Sequence, residues 1–96
     1  MQSYREVLES AKEKKVAIGH FNFSDIASMW GIVRAAESLG VPVVLGVSEG
    51  ERDFIGASEC VALVSSIKKH SKVPVFLNAD HTYSFERVKE AIDLGF

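Results

Sequence analysis

The stretch "VPVFLNADHTYSFERVKEAIDLGF", Val73 to Phe96, decides the fold. After Pro74, the residues Val75, Phe76 and Leu77 are strand formers. The apolar run then ends on Asn78-Ala79-Asp80-His81. Ser84 is placed to cap a helix whose Phe85, Val88 and Ile92 recur at helical spacing, predicting its buried side, and Gly95 marks its stop. A strand passes into a helix, with a carboxylate and an imidazole at the junction. Polar and charged groups beside a hydrophobic sheet are costly, so their placement there asks for a reason.

The same unit recurs upstream. "VAIGHFN" (16–22) is a short run of strand formers, followed by "SDIASMWGIVRAAESLG", where Ser24 or Asp25 is the N-cap. Ile26, Met29, Trp30, Val33 and Ala36 form its apolar stripe, and Gly40 its C-terminal stop. Pro42 opens "PVVLGVSEG" (42–50), after which Val61, Val64 and Ile67 mark a second helix. Ahead of all three units, Ser3 and Glu6 make a capping box for a short helix over 3–14, with Tyr4, Val7, Leu8 and Ala11 on one face. Strand starts near 16, 42 and 74 leave room for a helical crossover each time. Apolar strands of this kind predict a parallel sheet buried on both faces, hence one α/β domain spanning 1–96. Two solutions remain open: a doubly wound sheet, or part of a (β/α)8 barrel. Both gather chemistry at the C-terminal ends of the strands. Asn22, Ser48, Asp80 and His81 all fall on that edge.

Bulk composition excludes several classes. A net charge of −2 with scattered basic residues leaves no footprint for nucleic acid, and the Lys12–Lys15 cluster, broken by Glu13, reads as a solvated helix end. No apolar stretch approaches the roughly 20 residues of a membrane span. "MQSYREVLES" lacks the apolar core of a secretion leader. The single Cys60 lies in an apolar helical pattern and predicts core packing in a reducing compartment. The expectation is a cytoplasmic protein with neither membrane nor nucleic-acid partner.

Taken as residue types, the rim positions admit two readings each. Asp80 can exchange a proton with a substrate oxygen and His81 can bind a divalent metal, because at a strand end both side chains can face one cleft. Equally, Asp80 can cap a turn and His81 can bond local backbone. Ser48-Glu49-Gly50 is a turn or a contact for phosphate, and Asn22 either organises catalytic loops or satisfies a strand end. His20 approaches the same edge, whereas His70 sits at the end of the second βα-unit helix as a surface cap. No HxxxH or CxxC spacing occurs, so these residues hold no complete metal site.

Three passages together, "AIGHFNF", "AAESLGVPVVLGVSEG" and "VPVFLNADHTYSFERVKEAIDLGF", resemble the class II, metal-dependent fructose-bisphosphate aldolases and their tagatose-bisphosphate relatives. The last is the most specific, with Asp-His closing the third strand and a helix ending in an Ala-Ile-Asp-x-Gly-Phe phrase. The resemblance implies a TIM-barrel type (β/α)8 fold of which only the first three βα units are present. It implies that His81 matches a zinc-ligand histidine, and Asp80 the acid that exchanges a proton at the cleaved carbon–carbon bond. It further implies that Ser48 contacts substrate phosphate and Asn22 organises the loops. The reaction implied is cleavage of a phosphorylated sugar, fructose 1,6-bisphosphate, to dihydroxyacetone phosphate and glyceraldehyde 3-phosphate with Zn2+ as Lewis acid.

A closed barrel needs about 250 residues. The expectation is therefore the front portion of a longer polypeptide, or a homo-oligomer that buries its strand edges by self-association. The competing functional class is a non-catalytic α/β module that self-associates or binds phosphorylated ligands without turnover. A flavodoxin-like domain ranks last, because no Gly-rich phosphate loop follows the first strand.

Overall fold

The computed structural model describes residues 2–96. Its elements run α1 (Tyr4–Lys14), β1 (Gly19–Asn22), α2 (Ile26–Leu39), β2 (Val43–Ser48), α3 (Glu49–Ile55), α4 (Ala57–His70), β3 (Val75–Asp80) and α5 (Phe85–Leu94). The three strands are parallel in the order β1-β2-β3. The register aligns Asn22, Gly46 and Asn78 in one row and Ser48 with Asp80 in another. All three strands therefore end at one rim.

Side-chain alternation separates the two faces of the sheet. Val43, Leu45, Val47 and Val75 point toward the helices and form one cluster with Met29, Val33 and Ala36 of α2 and Cys60, Val64 and Ile67 of α4. Each fully buried Val, Leu or Met in such a cluster contributes roughly 1.5–3 kcal/mol relative to exposure. The opposite face carries His20, Asn22, Gly46, Ser48, Asn78 and Asp80. Toward the rim this face departs from the expectation of a sheet apolar on both sides: the row of Asn22, Gly46 and Asn78 and the row of Ser48 and Asp80 are polar, whereas Val44 and Phe76 keep the row below largely apolar. At the other end of the strands, α1 lies against it, with the Tyr4 ring 5.0 Å from that of Phe76 and Val7 buried.

Local chemistry sets the element ends. Asp25, rather than Ser24, is the N-cap of α2 and forms a reciprocal capping box with Ser28. Gly40 and Gly95 close α2 and α5 in the left-handed conformation. Three expectations are corrected. The first strand is shorter, beginning at Gly19 rather than 16. A separate helix, α3, begins directly after Ser48, and Gly56 at φ 103° divides it from α4. The α5 residues Phe85 (76% exposed), Val88 and Ile92 (65%) face outward while Ala91 is the buried contact. Spacing correctly finds an apolar stripe there, but the described residues leave much of it uncovered. Ile26 and Trp30 at the edge of the α2 stripe are likewise exposed, the Trp30 ring carrying the Arg34 guanidinium at 5.4 Å. Tyr4 and Leu8 of α1 are half-exposed. Among the described residues, no helix is long and apolar enough to cross a membrane.

Candidate active site

The rim is built around Asn22, the last residue of β1. Its Nδ2 donates to Asp80 Oδ2 at 3.1 Å and to Glu51 Oε1 at 3.3 Å. Two carboxylates can only accept from it, so both amide protons are committed and the orientation of the amide is settled. The Asp80 bond spans from β1 to β3 across the strand between them, which is open at Gly46. A Cβ built on Gly46 would stand 2.5 Å from Asn22 Oδ1 and 2.5 Å from His20 Nε2. Through the same gap His20 Nε2 reaches Asn78 Nδ2 at 3.2 Å, a hydrogen bond in the tautomer that carries its proton on Nδ1.

Glu51 ties the loops that follow β1 and β2. Its Oε1 accepts from the Ser48 backbone N–H at 2.8 Å, and its Oε2 from Ser24 Oγ at 2.9 Å. Ser48 in turn caps α3, its Oγ accepting from Glu51 N at 3.2 Å. Partial burial pushes the Glu51 carboxyl upward. The hydrogen bonds from Ser48, Ser24 and Asn22 outweigh that effect and hold it below its ordinary value.

His81 follows β3 in the left-handed region at φ 52°, and that turn brings its ring beside the preceding carboxylate. His81 Nε2 lies 3.7 Å from Asp80 Oδ2. The imidazole is open, at 69% exposure, whereas the Asp80 side chain is sheltered at 27%. An accessible imidazole beside a carboxylate suits one ligand position of a divalent cation. It does not make a site alone: no group of three or more His, Cys, Asp or Glu among the described residues is placed to hold a metal ion.

Of the rim residues expected from sequence, the structure brings Asn22, Asp80 and His81 into one connected group. Ser48 stands in register with Asp80 and is linked to the others through Glu51. His70 is remote, exposed at the end of α4, and Cys60 is buried in the core. Glu49, Glu51 and Arg52 were not anticipated. The signal for Glu51 was present, as Ser48-x-x-Glu51 is itself a capping box. None existed for Arg52, whose burial is a tertiary property.

A parallel sheet with α2 and α4 on one face, an opposite face that is polar toward the strand ends, and a rim of carboxylate, amide and imidazole defines part of a (β/α)8 barrel with its functional end exposed. The structure of the YdjI aldolase from Escherichia coli K12 superimposes with a TM-score of 0.88 at 26% identity, over 99% of this chain and 37% of that one. The sequence profile described as "Fructose-bisphosphate aldolase class-II" matches residues 2–96. The chain belongs to the class-II fructose-bisphosphate aldolase family. Relatives include a probable fructose-bisphosphate aldolase of Bacillus subtilis (strain 168), 41% identical, and a fructose-bisphosphate aldolase of Geobacillus stearothermophilus, 39% identical. Each alignment covers 98% of this chain and 34% of the relative, so the chain spans about a third of their length.

Proposed function

We propose that residues 1–96 form the N-terminal part of a metal-dependent aldolase and carry part of its active site. The substrate is a ketose bisphosphate, taken as fructose 1,6-bisphosphate, cleaved to dihydroxyacetone phosphate and glyceraldehyde 3-phosphate. One observation carries this reading: a carboxylate oriented by an amide from a non-adjacent strand stands beside an accessible imidazole at the carboxyl rim of a parallel sheet.

In cleavage, Asp80 takes the proton of the hydroxyl on the carbon beyond the breaking bond. That oxygen becomes the aldehyde, the bonding pair moves toward the ketone carbonyl, and the carbon left behind takes a proton from a group outside these residues to complete dihydroxyacetone phosphate. In condensation Asp80 returns the proton. Asn22 holds Oδ2 of Asp80 in place, which leaves Oδ1 of Asp80 as the freer oxygen for this exchange. His81 would supply one nitrogen ligand to Zn2+, and Ser48 would contact a substrate phosphate at the loop after β2. When bound, zinc supplies Lewis-acid polarisation of the ketone oxygen. The remaining ligands lie outside these residues. The protein is proposed to be cytoplasmic and homo-oligomeric.

The test is Asp80→Ala in the intact natural protein, assayed for carbon–carbon cleavage and for zinc content. A fall in kcat of about 100-fold or more with zinc retained is expected. Activity within about tenfold of the parent, or roughly 1.4 kcal/mol of barrier, would remove Asp80 from the chemistry.

The exposed Phe85, Ile92 and Phe54 favour a second reading for a chain of these residues taken alone, a module that self-associates or binds phosphorylated ligands without turnover. Sedimentation of residues 1–96 decides it. Association that weakens in the double variant Phe85→Lys, Ile92→Lys supports this reading, and a monomer at every concentration removes the self-association.

A further inference from the structure

Arg52 is the one buried charged side chain among the described residues, at 3% exposure, and it lies on α3. A buried guanidinium must find acceptors. Its Nη1 donates to the carbonyl oxygens of Val47 at 2.7 Å and Asp80 at 3.2 Å, and its Nη2 to Thr82 Oγ1 at 2.9 Å. The Thr82 hydroxyl in turn donates to the Ala79 carbonyl at 3.1 Å. Glu49, on the same helix, continues the clamp: its Oε2 accepts from the Tyr83 backbone N–H at 3.0 Å and lies 4.0 Å from Arg52 Nη2. The Phe96 ring covers the guanidinium at 5.9 Å.

These contacts bracket one residue. Among the described residues, His81 is one of two non-glycine residues with positive φ, and the backbone before it and the side chain after it are both held by Arg52. For a residue with a Cβ, the left-handed conformation is unfavourable and persists where the surroundings over-determine it. The other such residue, Lys15, sits at a helix C-cap, where its N–H bonds to the helix carbonyls explain it. No helix end explains His81.

We propose that Arg52 is a positioning residue that joins the ends of β2 and β3 and fixes the turn through which Asp80 and His81 are presented at the rim. Arginine suits this task because its planar fork serves three acceptors in different directions, whereas a lysine ammonium is a compact charge without that fork. The geometric role stands on the contacts above. Its consequence for turnover rests on the aldolase reading.

The test uses the intact natural protein with Arg52→Met, Arg52→Lys and, as a milder change that keeps the core filled, Thr82→Val. Amide hydrogen exchange at Tyr83 is measured beside exchange in β2. The expected result is Tyr83 exchange at least tenfold faster in Arg52→Met, faster to a lesser degree in Thr82→Val, with β2 amides unchanged. For turnover, kcat falls at least tenfold in Arg52→Met with KM within about threefold, and Arg52→Lys recovers part of it. Should Arg52→Met fail to fold, Thr82→Val carries the same comparison. Parent-like exchange at Tyr83 in the folded variants overturns the clamp. Faster exchange with unchanged kcat overturns its part in catalysis. A parent that cleaves no ketose bisphosphate overturns the aldolase reading instead, and the exchange result still decides the clamp.

Discussion

Asn22 of the first strand donates to Asp80 of the third, 3.1 Å away, although the second strand runs between them. Adjacent strands lie about 4.8 Å apart, so the two side chains together bridge two strand spacings. They meet on the diagonal between the row of Asn22 and the row of Asp80, where the β2 position in register with Asn22 is glycine and no side chain rises from Gly46 beside the amide.

Gly46→Ala should therefore separate activity from stability. The new Cβ meets the ends of Asn22 and His20, both of which can swing toward solvent, so unfolding free energy in urea should change by about 1 kcal/mol or less. Displacing Asn22 releases Asp80, and on the proposed aldolase reading kcat of the intact natural protein should fall on the order of 100-fold, as misplacement by about 1 Å commonly does. Equal losses of stability and activity would show that the gap serves packing alone.

Asn22→Ala removes the bridge, whereas Asn22→Asp replaces a shared donor with a third carboxylate beside Glu51 and Asp80. The aspartate variant should be the less stable of the two at pH 7, through like-charge repulsion. Lowering the pH toward about 4, where carboxylates take up protons, should narrow the gap. Chemical denaturation at several pH values checks this order.

Glu51 makes acid stability measurable at one residue. Its carboxyl is held below its ordinary value in the folded chain. The resulting stabilisation is fully present above the ordinary glutamate value and is lost as pH falls through the lowered folded value. Glu51→Gln should cost about 1 kcal/mol at neutral pH, since the partners remain but the charge is gone. The difference from parent should shrink in that acid window. A constant difference across it would show that Glu51 acts through shape alone.

The Cys60 thiol is pushed upward, chiefly by burial and then by the neighbouring Glu59 charge. Native protein should react with a thiol reagent at least 100-fold more slowly than the unfolded chain, at the rate of opening rather than in proportion to reagent. Prompt labelling under native conditions would contradict the packing around α4.

The alternation of elements was legible in the sequence because it depends on local spacing. The runs around Val43–Val47 and Val75–Leu77, the caps at Ser3 and Ser84 and the stops at Gly40 and Gly95 each state their own structure. So did the gathering of Asn22, Ser48, Asp80 and His81 at one end, since parallel strands of similar length must finish together. Helix α3 was legible too, through Ser48 and Glu51, but was masked by reading the strand on to Gly50.

What tertiary structure alone decided is which face each residue meets and which distant groups touch. The α5 stripe of Phe85, Val88 and Ile92 has helical spacing whether or not anything covers it, and only packing shows that much of it is left open by the described residues. Gly46 looks in sequence like any strand glycine, and Arg52 like any surface cation on a short helix. Their roles, an opening through which Asn22 reaches Asp80 and a buried clamp behind His81, arise from register and burial between segments some 30 to 60 residues apart. Local spacing carries no information about such pairings, because the contacts come into being only when the three strands are laid side by side.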